Sequence, residues 1–405
     1  MSGFVSCSPR RQRGFSLVEL MIALTIGLII SLALATMFSQ VSVTNKEQFK
    51  AALQIENGRY AMDLLSTDLR LAGYYGDYAA LPTGPSALPD PCDIPDQGST
   101  VSSTGSLAFY VQGYPAASLT DQAAIPSDCQ TWIDSATLKP GSDILVVRRL
   151  DTVPLVNPSA TTSPTTSATA QEGAAYVQTT ESVLSIQYGS GGTIDRWTDA
   201  TGTADVVSTS GAATGPALTR RDFNPTGGCT PSATATVCPL AAAYIRKLHV
   251  DIYFVSNCRK GSGSNGKCTS SDDTIPTLKR LELTVDASAS PKEPTFTMVA
   301  LAEGIEFLKV YYGVDTNGDG QVDTGGLPQP ATVAAWQNVV QAELRLLAVN
   351  SESSSSFVDT NSYDLGRDAS GNALSYTPSG NSAKFRRHAF DQQVYIINVA
   401  GRREK

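Results

Sequence analysis

Residues 20–38 run without a single charged side chain. As a helix, those 19 residues would span about 28 Å, close to the roughly 30 Å of a bilayer core. Beyond the run the pattern turns amphipathic. Residues 39–72 hold no proline, and Phe49, Leu53, Tyr60, Leu64 and Leu71 recur at intervals of 4, 7, 4 and 7. Those intervals predict that the helix continues, with an apolar stripe suited to packing on a sheet. Gly73 offers a stop before the turn-rich GDYAALPTGP.

From about residue 80 the period changes to that of strands and loops. Short β-like runs occur at 106–112, 143–149 and 182–188. The clearest strand is 243–256, where Leu248, Val250, Ile252 and Phe254 point one way and Lys247, His249, Asp251 and Tyr253 the other. It pairs most simply with 277–285, in which Leu281, Leu283 and Val285 alternate with Arg280, Glu282 and Thr284. Further strands are expected at 304–314, 338–350 and 393–400. Between them, 157–172, 198–219 and 351–382 are rich in Ser, Thr, Ala and Pro or otherwise polar. Such stretches bury too little apolar area to order themselves and read as mobile loops or linkers. The expected fold class is α+β: a long N-terminal helix, transmembrane then amphipathic, packed on antiparallel β-sheets with long loops.

The start of the apolar run carries the most specific chemistry. Arg10, Arg11 and Arg13 precede it, which favours keeping that end in the cytoplasm. Glu19 interrupts it near the same end, at a cost of about 2.5–3.5 kcal/mol for a lone intramembrane carboxylate. A secretory signal cleaved after Ala33-Leu34-Ala35 would have an overlong core with an acid in it. A plain signal anchor gives no reason for Glu19. The stretch RGFSLVELMIAL, with Gly14 before Phe15 and Glu19 fifth from Phe15, resembles the recognition site of prepilin peptidase. The resemblance implies cleavage between Gly14 and Phe15 and N-methylation of Phe15. The new amine would then pair with Glu19 in an apolar bundle, where an unpaired charge is expensive.

Two further stretches, NGRYAMDLLSTDLRLAGYYG and AEGIEFLKVYYGVDTNGDGQVD, resemble PilW-type minor pilins of type IV pili. The likeness is dense over 10–76 and 240–345 and implies a pilin-like fold. With the leader it implies (1–14), the hydrophobic pattern and the biased stretches divide the rest of the chain into a long helix (15–76, membrane part about 15–38), a β-rich region (77–156), low-complexity loops (157–239) and a C-terminal β-rich region with the acidic turn (240–405). The likeness also implies a structural role in initiating pilus assembly, with prepilin peptidase, the major pilin, other minor pilins and the inner membrane as partners. The C-terminal domain would be periplasmic, then part of the pilus. A minor pseudopilin of a type II secretion system, or a membrane-anchored calcium-binding adhesin, are the alternatives.

Composition narrows the classes further. Only 17% of residues are charged and 7% aromatic, with a net charge of −8. Loss of the three leader arginines would bring it to −11, a surface that repels nucleic-acid phosphates. Seven cysteines are present, and loss of Cys7 would leave six. Sequence order suggests Cys92–Cys129, Cys229–Cys238 and Cys258–Cys268, although six cysteines allow 15 connectivities. The last pair closes the loop between two expected strands, and an oxidising compartment follows. Unpaired buried cysteines are the bland alternative.

The run DTNGDGQVD places Asp315, Asn317 and Asp319 at alternate positions, with Gly320 for a sharp turn, the Gln321 carbonyl, and Asp323 ninth. That spacing suits calcium. Gly326 stands where the bidentate Glu of an EF-hand belongs, and a strand pattern precedes the run, so a calcium-bound turn competes with a plain acidic Asx turn. No enzyme motif appears. The two histidines, His249 on a strand and His388 within FRRHAF, read as structural or solvated groups, and the basic patch of Lys384, Arg386 and Arg387 as a solvated face.

Overall fold

The apolar run and the segment after it form one helix, Leu17–Leu71, of 55 residues. A computed structural model describes residues 14, 16–76, 78, 84–94, 104–155, 168–169, 171–179, 184–188, 193–194, 196–198, 204–206, 219–221, 240–242, 244–290, 292–354 and 357–403. The chain divides into two units, residues 1–52 and 53–405. In the first unit the apolar helix is exposed along its length, Phe38 at 79%. It is long and apolar enough to cross a membrane.

In the second unit the helix ends where a left-handed glycine permits it. Gly73 has φ +69°, and its N–H donates to Arg148 O at 3.0 Å. Asn398 Nδ2 donates to Arg70 O at 3.0 Å, and Arg402 Nη2 to Gly73 O at 2.9 Å. Both donors belong to a short helix, Ile397–Arg403.

The stripe read from the sequence is not the buried face. Leu53 and Tyr60 are 41% and 50% exposed, whereas Gln54, Gly58, Ala61, Leu65, Asp68 and Leu69 are buried. Small residues let the helix come close, and polar ones find partners on the sheets. Gln54 Nε2 donates to Ala348 O (2.7 Å) and Arg386 O (3.0 Å), and Asn57 Nδ2 to Glu303 O (3.1 Å). Hydrophobic spacing alone does not register such partners.

The larger sheet orders Val111–Tyr114, Ile144–Leu150, Tyr244–Ser256, Thr277–Asp286 and Glu293–Glu303, all antiparallel. Ala175–Thr179 joins the start of Tyr244–Ser256 and pairs with Leu184–Tyr188. Strands from before 156 and after 240 thus share one sheet. The expected pairing holds: Asp251 faces Glu282 and Ile252 faces Leu281. The chain leaves this sheet at Gly304, φ +72°, where a Cβ would lie 2.4 Å from Val349 O. The smaller sheet follows, ordered Thr324–Leu327, Ile305–Val314, Val339–Val349 and Arg387–Tyr395. Every residue of Ile305–Val314 is buried.

Other expectations need correction. Residues 106–112 are split between a 3₁₀ turn, Thr104–Ala108, and Val111–Tyr114. Residues 393–400 contain the end of Arg387–Tyr395 and the start of the Ile397–Arg403 helix. Most of 351–382 is ordered: the hairpin Tyr363–Arg367 and Ala373–Tyr376 packs Leu365 and Leu374 on Phe307 and Leu347. Glu293–Glu303 was not foreseen. Most of 157–172 and 198–219 lies outside the described residues.

Candidate functional site

The processing region belongs to the first unit. Gly14 is exposed, and nothing lies within 4 Å of a Cβ built there. Glu19 sits exposed in the first helical turn, where the helix dipole favours an acid. Around it Leu17, Val18, Leu20 and Met21 are each more than half exposed. The arrangement is an acid on an apolar rod, which in apolar surroundings is stabilised either by a cationic partner or by taking up a proton. Phe15, Cys7 and the three leader arginines lie outside the described residues.

In the second unit the acidic run folds as a self-contained turn. Asp315 is buried, and its Oδ1 accepts from the N–H groups of Asn317 (3.2 Å) and Gly318 (2.6 Å). Its Oδ2 accepts from Gly320 N (3.0 Å) and Arg403 Nη1 (3.1 Å). Burial would raise this carboxyl, but those two glycine N–H groups and Arg403 together hold it below the usual range. Asp323 Oδ2 accepts from the hydroxyl and N–H of Thr316 and from Asn317 N, which lowers Asp323 too. Asn317 Nδ2 bridges Asp319 (3.2 Å) and Asp323 (3.1 Å), and Gln321 N donates to Asp319 at 2.8 Å. Gly318 and Gly320, φ +83° and +84°, permit the winding. The structure therefore gathers all five candidate residues, yet their carboxylates point to N–H donors and the cation beside Asp315 is Arg403. A calcium ion would have to compete with that guanidinium.

Two of the expected disulfides are formed, Cys92–Cys129 and Cys258–Cys268. Cys229 and Cys238 lie outside the described residues. Among the described residues, one trio of potential ligand atoms comes within 4.8 Å, that of Asp90, Cys92 and Cys129, and two of its members are bonded to each other.

Neither histidine sits in a catalytic arrangement. His249 Nε2 lies 3.8 Å from Asp151, and burial with the charge of Arg149 lowers His249 to about 4, so it is neutral at pH 7. His388 stacks edge-on against Phe390 at 4.7 Å. The basic patch is not a solvated face throughout. Arg387 is buried between Glu306 (2.6 Å) and Asp359 (3.5 Å), and Arg386 lies over Phe357 at 4.1 Å.

What sequence reading missed is a polar junction where the helix meets the larger sheet. Asp68 pairs with Arg149 at 3.2 Å and accepts from Tyr253 Oη. Arg280 lies 3.5 Å from Asp251 and also binds Glu282. The alternation of Arg280 and Glu282 with Leu281 and Leu283 was the available signal, and in the sequence it reads only as a strand period.

Residues 252–398 match the family described as Type IV Pilus-assembly protein W, PilW, and residues 9–35 match the Prokaryotic N-terminal methylation motif. No curated protein and no solved structure matches the chain.

Proposed function

We infer that this chain is a PilW-type minor pilin, a structural subunit of type IV pilus assembly. The observation that carries the reading is the union of two signals in one chain: the methylation motif over 9–35 and the PilW match over 252–398. The first falls on the start of the exposed apolar helix, the second on the whole smaller sheet and on the larger sheet's Thr277–Asp286, Glu293–Glu303 and the end of Tyr244–Ser256. A pseudopilin or an adhesin is not favoured by a match to a pilus-assembly family.

The finer steps are part of the proposal. Prepilin peptidase cuts between Gly14 and Phe15 and the new amine of Phe15 is methylated, with Glu19 as its counter-charge. The helix holds the protein in the inner membrane, with its N-terminus cytoplasmic and the β domain periplasmic, until it joins the major pilin and other minor pilins. The role is structural rather than enzymatic. A subsidiary proposal concerns the acidic turn, whose oxygen spacing supports weak calcium binding in competition with Arg403.

Mass spectrometry of the mature N-terminus tests the main reading. N-methylated Phe15 is expected; an N-terminus at Thr36 would overturn it. A deletion strain should lose its pili, whereas lost secretion with pili intact would point to a pseudopilin.

A further inference from the structure

The bridges Cys92–Cys129 and Cys258–Cys268 sit in opposite electrostatic surroundings. Beside the first is a carboxylate: Asp90 Oδ1 is 3.6 Å from Cys129 Sγ, and an Asp90 oxygen lies within 4.8 Å of both sulfurs. The N–H groups of Cys92 (2.9 Å) and Asp128 (2.8 Å) fix that carboxylate in place. Beside the second is a cation. Lys279, 2% exposed, comes from Thr277–Asp286, and its Nζ lies 3.8 Å from Cys258 Sγ, its one hydrogen-bond partner among the described residues. The acids that act on Lys279 are turned to loop N–H groups, Asp272 to Ser262 and Thr269, Asp273 to Arg259 and Ile275. Burial draws the Lys279 amine down from its usual value, and the charges of Asp273 and Asp272 oppose that fall. Cys268 is the most exposed of the four cysteines, 7% against 1% for Cys258.

We propose that Cys258–Cys268 is an exchangeable bridge with a fixed direction, entered at Cys268 by a dithiol partner, whereas Cys92–Cys129 resists exchange. An incoming thiolate attacks Cys268 Sγ, the S–S bond breaks, and its electron pair leaves on Cys258 Sγ beside the Lys279 ammonium. The partner's second thiolate then attacks the mixed disulfide. Cys268 leaves as a thiolate, and the partner departs as a disulfide, oxidised by two electrons. In reverse, the Cys258 thiolate is the group that closes the bridge. A neighbouring ammonium stabilises a thiolate, and a stabilised thiolate leaves faster. At Cys92–Cys129 either sulfur would leave as an anion facing Asp90, which slows exchange whichever one is attacked.

Reduction of the full-length protein in detergent micelles at about pH 7.5, by dithiothreitol or by glutathione, tests this. A denaturing quench with N-ethylmaleimide and peptide mass spectrometry reads each bridge separately. Cys258–Cys268 should open roughly tenfold faster than Cys92–Cys129, with glutathione caught on Cys268 and the maleimide on Cys258. Lys279→Met should slow that opening roughly fivefold to tenfold relative to Cys92–Cys129 in the same molecules. A merely structural role for Lys279 would do the opposite, because a loosened loop opens faster. Equal or slower opening of Cys258–Cys268, glutathione on Cys258, or an unchanged or faster ratio in Lys279→Met overturns the proposal. If the variant does not fold, the site of the glutathione adduct in the wild type decides.

Discussion

Gly58 lies against the ring of Phe390, so close that a Cβ at position 58 would come within 2.2 Å of Phe390 Cε2. The close approach of helix to sheet here depends on a missing side chain. Alanine normally favours a helix over glycine by about 1 kcal/mol. In Gly58→Ala the overpacking should outweigh that gain and destabilise by about 1–3 kcal/mol. In a Phe390→Ala background the same change should become neutral or stabilising. Chemical denaturation of the four proteins, read as a double-mutant cycle, checks the reversal of sign.

Asp315 and Arg403 set an acid limit. The carboxyl is held low in the fold, so its stabilisation is present above the unfolded value of about 4 and drains away as pH falls through the folded value. Arg403→Met removes that partner and the donors to Gln337 O and Asn338 Oδ1. It should cost about 1.5–3 kcal/mol near neutrality and flatten part of the acid limb. Denaturation midpoints measured from about pH 3 to 7 report both effects.

Calcium and Arg403 compete for one carboxylate. Weak binding, roughly 10⁻⁴–10⁻³ M, should raise the melting temperature of the wild type modestly and that of Arg403→Met more. Asp315→Ala with Asp319→Ala should abolish both rises. If neither protein responds at several millimolar, the turn is held by its own donors and Arg403 alone.

Glu19→Ala removes the acid from the apolar rod while leaving Gly14 and the membrane segment intact. Leader cleavage and membrane insertion should persist, and incorporation into sheared pili should be lost. Immunoblots of membrane and pilus fractions, with the mature mass, separate the two steps; normal incorporation would sink the pairing of Glu19 with the amine of Phe15.

The parts legible in the sequence were those with local periodicity. The apolar run and the Tyr244–Ser256 pairing with Thr277–Asp286 follow from spacing alone. Glu293–Glu303 was hidden because Pro294 reads as a breaker, although proline is tolerated on an edge strand such as this one. The hairpin at 363–376 looked too polar to order; its anchor is distant, Tyr311 Oη donating to Leu365 O at 2.7 Å. The acidic turn was visible in nine consecutive residues. Its cation was not, because Arg403 stands 88 positions from Asp315. Asp68 lies off the apolar stripe that the spacing marks, and only the tertiary fold gives it Arg149 and Tyr253.

The end of the long helix is fastened by Asn398 and Arg402, 328 and 329 positions away from the carbonyls they bind. Contacts so remote in sequence form late, because the whole intervening chain must first be in place. A ribosome or translocon still holding residues 397–403 therefore withholds the fastening from a helix made long before. The order of manufacture becomes an order of maturation: the first element to emerge is the last to be locked, and a truncated product would carry a helix whose end frays. Removal of residues from 397 onward should accordingly expose the Leu71–Gly76 region to protease while the apolar rod remains helical.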